Sequence, residues 1–228
     1  MDINGLQKLT LLDYPGKTAC TVFLAGCDLR CPFCHNSELW GKAPAVMDDG
    51  ELLKFLEKRR GLLEGVAFTG GEALLRPELP ELMGRIKALG YPVKLDTNGT
   101  HPERLRRLID EGLVDYAAMD VKNSRERYAL TCGLESMDPE PIENSIALLK
   151  EGRVDYEFRT TVVVPLHDEA SFTDIARMID GAENYFLQPF TDRDTVLYKG
   201  FAAPTADEMQ RYLEIVSPHV KHAAIRGM

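Results

Sequence analysis

Residues 18–36 read TACTVFLAGCDLRCPFCHN. An apolar, strand-like run ends at Gly26, and three cysteines then follow within eight positions: Cys27, Cys31 and Cys34. In a chain of 228 residues with five cysteines, the spacing Cys-x3-Cys-x2-Cys arises by chance in roughly one sequence in 500. The grouped thiols therefore predict a metal centre directly after a strand.

Three thiols favour an iron–sulfur cluster over a zinc ion. A structural zinc site uses four protein ligands, and His35 directly follows Cys34, so it would have to turn back sharply to share the metal. Cubane clusters are normally held by thiolates at all four irons. Three thiolates leave one iron open, so we expect another molecule to bind there. Cys20 lies in the apolar run and Cys132 in a separate segment, so neither is the expected fourth ligand.

Apolar runs alternate with helical patterns along the rest of the chain. Six strand-like runs are predicted, at 18–26, 65–71, 92–99, 114–122, 154–164 and 184–190. Strand and helix units in alternation predict a parallel sheet with right-handed crossovers. The turn Tyr14-Pro15-Gly16-Lys17 predicts an N-terminal hairpin ahead of the first cysteine. We therefore expect an α/β fold and a single domain over residues 1–228.

Composition limits the compartment and the partners. A hydrophobic content of 44% and a charged content of 28% suit a folded domain with a sizeable core. The start MDINGLQKLT lacks the features of a secretory signal, and no stretch approaches the ~18 apolar residues of a membrane helix. We expect a cytoplasmic protein with no membrane partner, where clustered cysteines bind metals more often than they form disulfides. The net charge of -9 argues against nucleic acid as a partner.

Polar and glycine-rich motifs follow the ends of the predicted strands. They are the cysteine loop, Gly70-Gly71-Glu72, Asp96-Thr97-Asn98-Gly99, Asp120 with Lys122, Arg159 and Gln188. Parallel α/β sheets build their ligand sites at the carboxyl edge of the strands. The sequence therefore predicts one site that collects all of these residues.

The spacing Cys27-x3-Cys31-x2-Cys34 after a first strand resembles the signature of the radical S-adenosylmethionine (SAM) enzymes. The resemblance implies a partial (β/α)6 barrel, a [4Fe-4S] cluster on the three cysteines, and SAM bound at the open iron. It also implies that the reduced cluster cleaves SAM to a 5′-deoxyadenosyl radical that abstracts a hydrogen atom. Phe33 matches an aromatic position beside the adenine. The segment 70–72 matches the family's GGE motif near the methionyl amino group.

Three segments resemble the glycyl-radical-enzyme activases in particular: residues 12–36, DTNG at 96–99 and MDVK at 119–122. From INGLQKLT onward the chain is similar to anaerobic ribonucleoside-triphosphate reductase activating proteins. The implied reaction is abstraction of a Cα hydrogen from one glycine of a partner glycyl radical enzyme. A flavodoxin or a ferredoxin is the implied reductant.

The same resemblance implies roles for individual residues. Asp96, Thr97 and Asp120 would correspond to ligands of a monovalent cation, Na+ or K+, beside the SAM carboxylate. The remaining residues implied to bind SAM, besides Phe33 and the GGE segment, are Asp96, Asn98, Lys122, Arg159 and Gln188. Gln188 stands where some relatives place a histidine near the adenosyl group.

Two other functions stay open at this point. A radical SAM enzyme for a small molecule or a tRNA base, such as a deazaguanine-type synthase, would share the cysteine motif. A noncatalytic zinc or iron–sulfur module would share only the thiols. The sequence contains no insertion long enough for a separate lid, which predicts an open lateral cavity with few charged groups beyond the SAM contacts. Surface or loop positions are expected for His101, His167, His219 and His222.

Overall fold

The computed structural model describes residues 1–227. Its strands are β1 (Asp2–Ile3), β2 (Gly5–Thr10), β3 (Ala19–Leu24), β4 (Met47–Asp48), β5 (Gly65–Gly70), β6 (Val93–Thr97), β7 (Tyr116–Asp120), β8 (Asp155–Val162), β9 (Asn184–Pro189) and β10 (His222–Ile225). Eight of them form one sheet with the order β10-β9-β8-β7-β6-β5-β3-β2. The short strands β1 and β4 pair separately.

The large sheet is parallel apart from one edge strand. β2 runs antiparallel to β3, so the predicted N-terminal hairpin is confirmed. The six predicted parallel strands correspond to β3, β5, β6, β7, β8 and β9, which pair in that order. β10 adds a further parallel strand beside β9 that the sequence pattern did not predict. The predicted α/β fold is confirmed, with one more parallel strand than expected.

Helices connect successive strands of the sheet. They are α1 (Asp49–Lys58), α2 (Leu79–Ala88), α3 (Pro102–Asp110), α4 (Tyr128–Thr131), α5 (Glu140–Lys150), α6 (Glu169–Met178) and α7 (Ala206–Val216). Asp48, Asp168 and Thr205 form capping boxes at α1, α6 and α7, which satisfy backbone donors that have no partner within the helix. Over residues 1–227, none of the helices is long and apolar enough to cross a membrane.

Alternation along the strands separates an apolar outer face from a polar inner face. On β8, Tyr156, Phe158 and Val162 are buried in the hydrophobic core. The intervening residues Glu157 and Arg159 point to the opposite face, because successive side chains of a strand alternate. The inner face of the sheet therefore carries the polar groups from which a site can be built.

This inner face holds charges well below the carboxyl edge. Lys94 and Glu157 are each 1% exposed. Glu157 accepts two hydrogen bonds of 2.9 Å from the guanidinium group of Arg226. These paired charges lie inside the fold and do not line the cavity at the carboxyl edge of the sheet. The acidic and basic side chains that do line it are Asp96, Asp120, Lys122 and Arg159, so the expectation of few charged groups beyond the SAM and cation contacts agrees with the structure.

Candidate functional site

A cavity opens at the carboxyl edge of the parallel strands, where the sequence predicted the site. Its lining contains these predicted residues: Cys27, Cys31, Phe33, Cys34, Gly70, Gly71, Asp96, Thr97, Asn98, Asp120, Lys122 and Arg159. Two predicted SAM contacts, Glu72 and Gln188, do not line it. Gln188 lies on β9 in register with Thr161 of β8. The fold therefore brings the cysteine loop and the other strand-end motifs together around one space.

The cysteine loop follows β3 and places its three thiols on the cavity. Cys31 is buried, whereas Cys27 and Cys34 are half-buried. Burial raises the pKa of the Cys27 thiol to about 12 and also raises the pKa of Cys34. A hydrogen bond with the Cys132 thiol lowers the pKa of Cys31. Because the thiolate is the metal ligand, a bound metal centre would have to displace protons from these groups.

The three thiols share one cavity, as the ligands of a [4Fe-4S] cluster must. Over residues 1–227, no set of three or more His, Cys, Asp or Glu side chains lies close enough together to hold one metal ion. In a [4Fe-4S] cluster each thiolate binds a different iron, so the sulfurs must share one cavity without meeting at one point. The cysteine loop meets that requirement, since all three thiols line the same cavity.

The segment after β9 folds back over the cysteine loop. The Ser37 hydroxyl donates a hydrogen bond to the Thr195 carbonyl at 2.5 Å. The Phe201 ring meets the Phe33 ring edge-on, with 6.5 Å between centroids. Phe33 is 4% exposed and still lines the cavity. The Phe33 ring therefore presents an apolar surface to the cavity at the position predicted to lie beside the adenine.

Backbone atoms approach closely where β5 ends. A Cβ on Gly71 would lie 2.1 Å from the carbonyl oxygen of Gly26, and a Cβ on Gly70 would lie 2.3 Å from that of Leu24. The amide of Glu72 donates to the Gly26 carbonyl at 2.7 Å. Only glycine allows such contact, because any side chain would clash. The GGE segment thus fixes the start of the cysteine loop against the neighbouring strand.

Glu72 lies beneath the cavity and connects the GGE segment to the DTNG loop. Its carboxylate is 1% exposed and accepts hydrogen bonds from the Asn98 amide at 2.7 Å, the Leu74 amide at 3.1 Å and the Thr97 hydroxyl at 3.0 Å. Burial raises the pKa of Glu72 to about 7, although these donors favour the charged form. Glu72 therefore positions the DTNG loop and does not face the cavity.

Alternating charges form another part of the cavity wall. Asp120 accepts hydrogen bonds from Lys122 Nζ at 2.9 Å and from Arg159 Nε at 3.0 Å. Asp96 pairs with Arg159 at 3.5 Å and with Lys94. Burial opposes ionisation of Asp120, but Lys122 and Arg159 outweigh it and lower the pKa of Asp120 to about 2. Asp120 in turn raises the pKa of Lys122 against the effect of burial.

The residues predicted to bind a monovalent cation do not fit one in this arrangement. Both carboxylate oxygens of Asp96 and both of Asp120 already face a protein cation. The Thr97 hydroxyl donates to Glu72 and accepts from the Gly99 amide at 3.1 Å. A metal ion here would have to displace ion pairs that the chain itself provides.

Sequence reasoning missed two contacts of the cysteine loop. Asp28 accepts a hydrogen bond from the Asn98 side chain at 2.9 Å and faces His101 Nε2 at 3.2 Å. Burial alone would raise the pKa of Asp28, but hydrogen bonds from these neighbours hold it well below its ordinary value. The Arg30 amide donates to the Cys132 carbonyl at 2.9 Å. In the sequence, the position of Asp28 between Cys27 and Cys31 could have indicated that Asp28 contacts other parts of the site.

One of the histidines expected at the surface or in a loop has a buried role. His167 is 4% exposed, and its Nε2 lies 2.8 Å from the Lys122 carbonyl oxygen. Burial lowers the pKa of His167, which favours the neutral ring. It therefore holds the end of the MDVK segment, whereas His222 is exposed as expected.

Comparison with known proteins gives this geometry a family context. The sequence model of the Radical SAM superfamily matches residues 21–179. A protein of Methanocaldococcus jannaschii, whose name proposes a glycyl-radical enzyme activating function, is 32% identical over 231 residues, which cover 98% of this chain and 95% of that protein. A 7-carboxy-7-deazaguanine synthase of Methanopyrus kandleri is 30% identical over 204 residues, which cover 78% of this chain and 75% of the synthase.

A solved structure shares the fold. It is a domain of a pyruvate-formate lyase-activating enzyme from Bacteroides vulgatus, with a TM-score of 0.59 and 23% sequence identity. The superposition covers 72% of this chain and 99% of that domain. At this identity the likeness concerns the arrangement of strands and helices.

Proposed function

The chain belongs to the radical SAM superfamily, and from that premise we propose that it is a glycyl-radical-enzyme activase. It removes a Cα hydrogen from one glycine of a separate enzyme, for which we propose an anaerobic ribonucleoside-triphosphate reductase. The observation that carries the proposal is the convergence of the cysteine loop, the DTNG segment and the MDVK segment on one cavity. The relative named for this activity supports it, because it matches nearly the whole chain.

The chain's own residues would hold and orient the reactants. When bound, a reduced [4Fe-4S] cluster supplies the electron that cleaves SAM and so yields the 5′-deoxyadenosyl radical. Cys27, Cys31 and Cys34 are the thiols that would hold three of its irons. Lys122 and Arg159 place fixed positive charge on the cavity wall, which suits the carboxylate of SAM.

Access to the cavity supports a macromolecular substrate. In the described chain, β2 and β10 are the two edges of the large sheet and do not pair with each other, so the sheet does not close into a barrel. A partner's glycine must come within ~3 to 3.5 Å of the radical carbon, and an open side allows a loop to reach that far. An enzyme for a small molecule has more to gain by sealing its substrate from water.

A second candidate function is supported by the likeness to the deazaguanine synthase. That likeness covers 78% of the chain, and an enzyme acting on a small ring compound would use the same cysteines and the same SAM contacts. The activase remains the better proposal, because its named relative matches a larger share of the chain, 98%.

The deciding experiment uses deuterium to trace which molecule loses a hydrogen atom to the 5′-deoxyadenosyl radical. The reconstituted protein is incubated without oxygen with SAM, a reductant and the co-occurring anaerobic reductase, deuterated at the Cα of its radical glycine. With the unlabelled reductase we expect a glycyl doublet by electron paramagnetic resonance. With the deuterated reductase we expect deuterium in 5′-deoxyadenosine and collapse of the doublet, because the atom left on the radical Cα is then deuterium. Cys34→Ala, which removes one cluster ligand, serves as the negative control. Deuterium transfer from a free metabolite instead of the protein would contradict the activase function.

A further inference from the structure

We propose that Lys94 takes the place of a monovalent metal cation beside the SAM site of this chain. Its buried ammonium group balances Asp96 from below the cavity, so that SAM binds without a requirement for Na+ or K+. This role depends on SAM occupying the cavity, which the proposed function also assumes. It does not depend on which enzyme is activated.

The position of Lys94 is the first support. Lys94 and Asp96 are two residues apart on β6, so both side chains point to the inner face of the sheet. Lys94 is 1% exposed, and its ammonium group pairs with Asp96 Oδ1. Among the described residues, Asp96 is its one ion-pair partner. A buried ammonium group is stable only when paired and hydrogen-bonded, so this contact fixes where its charge lies.

The occupied ligand atoms are the second support. A hard monovalent ion would use carboxylate and hydroxyl oxygens, which here belong to Asp96, Asp120 and Thr97. Lys94 and Arg159 take the two oxygens of Asp96. Arg159 and Lys122 take the two oxygens of Asp120. Lysine and arginine side chains therefore already contact the carboxylate oxygens that a metal ion would need as ligands.

The charge balance is the third support. Asp96 and Asp120 contribute two negative charges, and Lys94, Lys122 and Arg159 contribute three positive ones, so the network carries a net charge of +1. The carboxylate group of SAM carries one negative charge and offsets this local excess. A further metal cation would restore an excess of positive charge and would be repelled by three fixed cations.

A tethered cation also differs from a free one in its binding cost. A free ion must lose part of its hydration shell and its translational freedom each time it binds. Lys94 is already held in place by the chain and directs its N–H groups at a carboxylate, which makes a strong hydrogen bond. The site is therefore complete before SAM arrives.

The first test uses the wild-type protein. The dissociation constant of SAM is measured on cluster-reconstituted protein in Na+, K+, Cs+ and choline salts at one ionic strength. We expect it to change by less than about twofold, an energy difference of ~0.4 kcal/mol. Thallium NMR of the cluster-free protein, with Tl+ standing for K+, should show no saturable site. A preference of about tenfold or more for Na+ or K+ over choline, or saturable Tl+ binding, would overturn the proposal.

The second test removes the ammonium group. Lys94→Gln keeps a polar side chain and adds an amide oxygen, and we expect it to bind SAM about tenfold more weakly in choline, with recovery in Na+ or K+. Lys87→Gln is the matched control, because it removes a lysine from a partly exposed ion pair with Asp115 and should create no cation dependence. If Lys94→Gln binds SAM weakly and neither Na+ nor K+ restores the binding, then Lys94 does not act in place of a metal cation.

Folding and function are kept apart in these tests. Melting curves of the variants report whether they fold, and if Lys94→Gln does not, the wild-type salt series still decides the matter. SAM binding is measured without any partner enzyme. A failure of deuterium transfer from a partner glycine would therefore count against the proposed function and leave the role of Lys94 standing.

Discussion

Glu72 is a carboxyl group with almost no contact with solvent and three hydrogen-bond donors around it. The donors favour the charged form, but burial outweighs them and raises the pKa from an ordinary value of 4.5 to about 7. In the unfolded chain the same group ionises near its ordinary value. Folding therefore binds a proton at Glu72 between these two pH values, and the stability of the protein is linked to pH through this one residue.

We predict that the stability contributed by Glu72 falls as pH rises. It is fully present below about pH 4.5 and is lost as pH rises through about 7, because in that window the folded state binds more protons than the unfolded state. The difference in pKa corresponds to about 3 kcal/mol. Urea unfolding of cluster-free protein at pH 5 to 8 should show the free-energy gap between wild type and Glu72→Gln shrinking toward high pH. Glu57→Gln, on the exposed side of α1, is the control, and its difference in unfolding free energy from wild type should not change with pH. If that difference changed with pH as much for Glu57→Gln as for Glu72→Gln, the prediction would be contradicted.

Some site residues could be predicted from the sequence, and others could not. The thiols, the GGE segment and the acids of DTNG and MDVK were predicted to share a site, because each follows a strand. The partners Lys94 and His101 were not predicted. His101 pairs with Asp28 across the fold, whereas Lys94 pairs with Asp96 on its own strand. Lys94 carried a weak signal, since a lysine flanked by Val93 and Leu95 and two positions before an acid belongs to the inner face of a strand.

At the scale of elements, the cysteine loop rests on the corner that follows α4. The Arg30 amide donates to the Cys132 carbonyl at 2.9 Å. A Cβ on Gly133 would lie 2.1 Å from the Arg30 carbonyl oxygen. The loop that carries the thiols is therefore held from two sides, by the GGE segment and by this corner.

We predict that Gly133→Ala impairs cluster assembly, whereas Gly112→Ala does not. Both glycines follow a helix and have similar positive φ angles, 69° and 65°, so each substitution has the same backbone cost of about 1 kcal/mol. Only at Gly133 does the new Cβ meet another segment, because Gly112 has open space around it. Iron content and the absorbance of the reconstituted cluster should fall in Gly133→Ala alone. Equal iron loading of the two variants would show that the corner does not position the loop.

Elements with a clear hydrophobic period were predicted well, and short ones were not. The strand predicted at 184–190 is observed as β9 at Asn184–Pro189. β10 has four residues and only half-buried or exposed side chains, so its sequence carries no alternation that periodicity could detect. α7 contacts both β9 and β10, so the pairing of β10 with β9 involves tertiary packing that no local pattern reveals.

At the scale of the whole molecule, the large sheet has two edges, β2 and β10, and a partly buried ion pair stabilises the edge at β10. Arg226 follows β10, and its guanidinium group donates two 2.9 Å hydrogen bonds to Glu157 on β8. The Tyr116 hydroxyl donates to the same carboxylate at 2.8 Å. The guanidinium group also lies over the Phe186 ring on β9, the strand between them. This pair therefore connects the last strand to the inside of the fold.

We predict that Arg226→Met destabilises the protein by about 2 to 3 kcal/mol, since it leaves the Glu157 carboxylate buried with one neutral donor. The double variant Arg226→Met, Glu157→Gln should be more stable than the sum of the two single changes implies, by about 1 kcal/mol or more. Hydrogen exchange of the β10 amides should quicken in Arg226→Met, because the edge strand loses its inner anchor. Arg177→Met, which breaks an exposed ion pair with Asp174, should stay close to wild type. Additive effects in the double variant, with unchanged exchange in β10, would mean that the edge is held by backbone pairing alone.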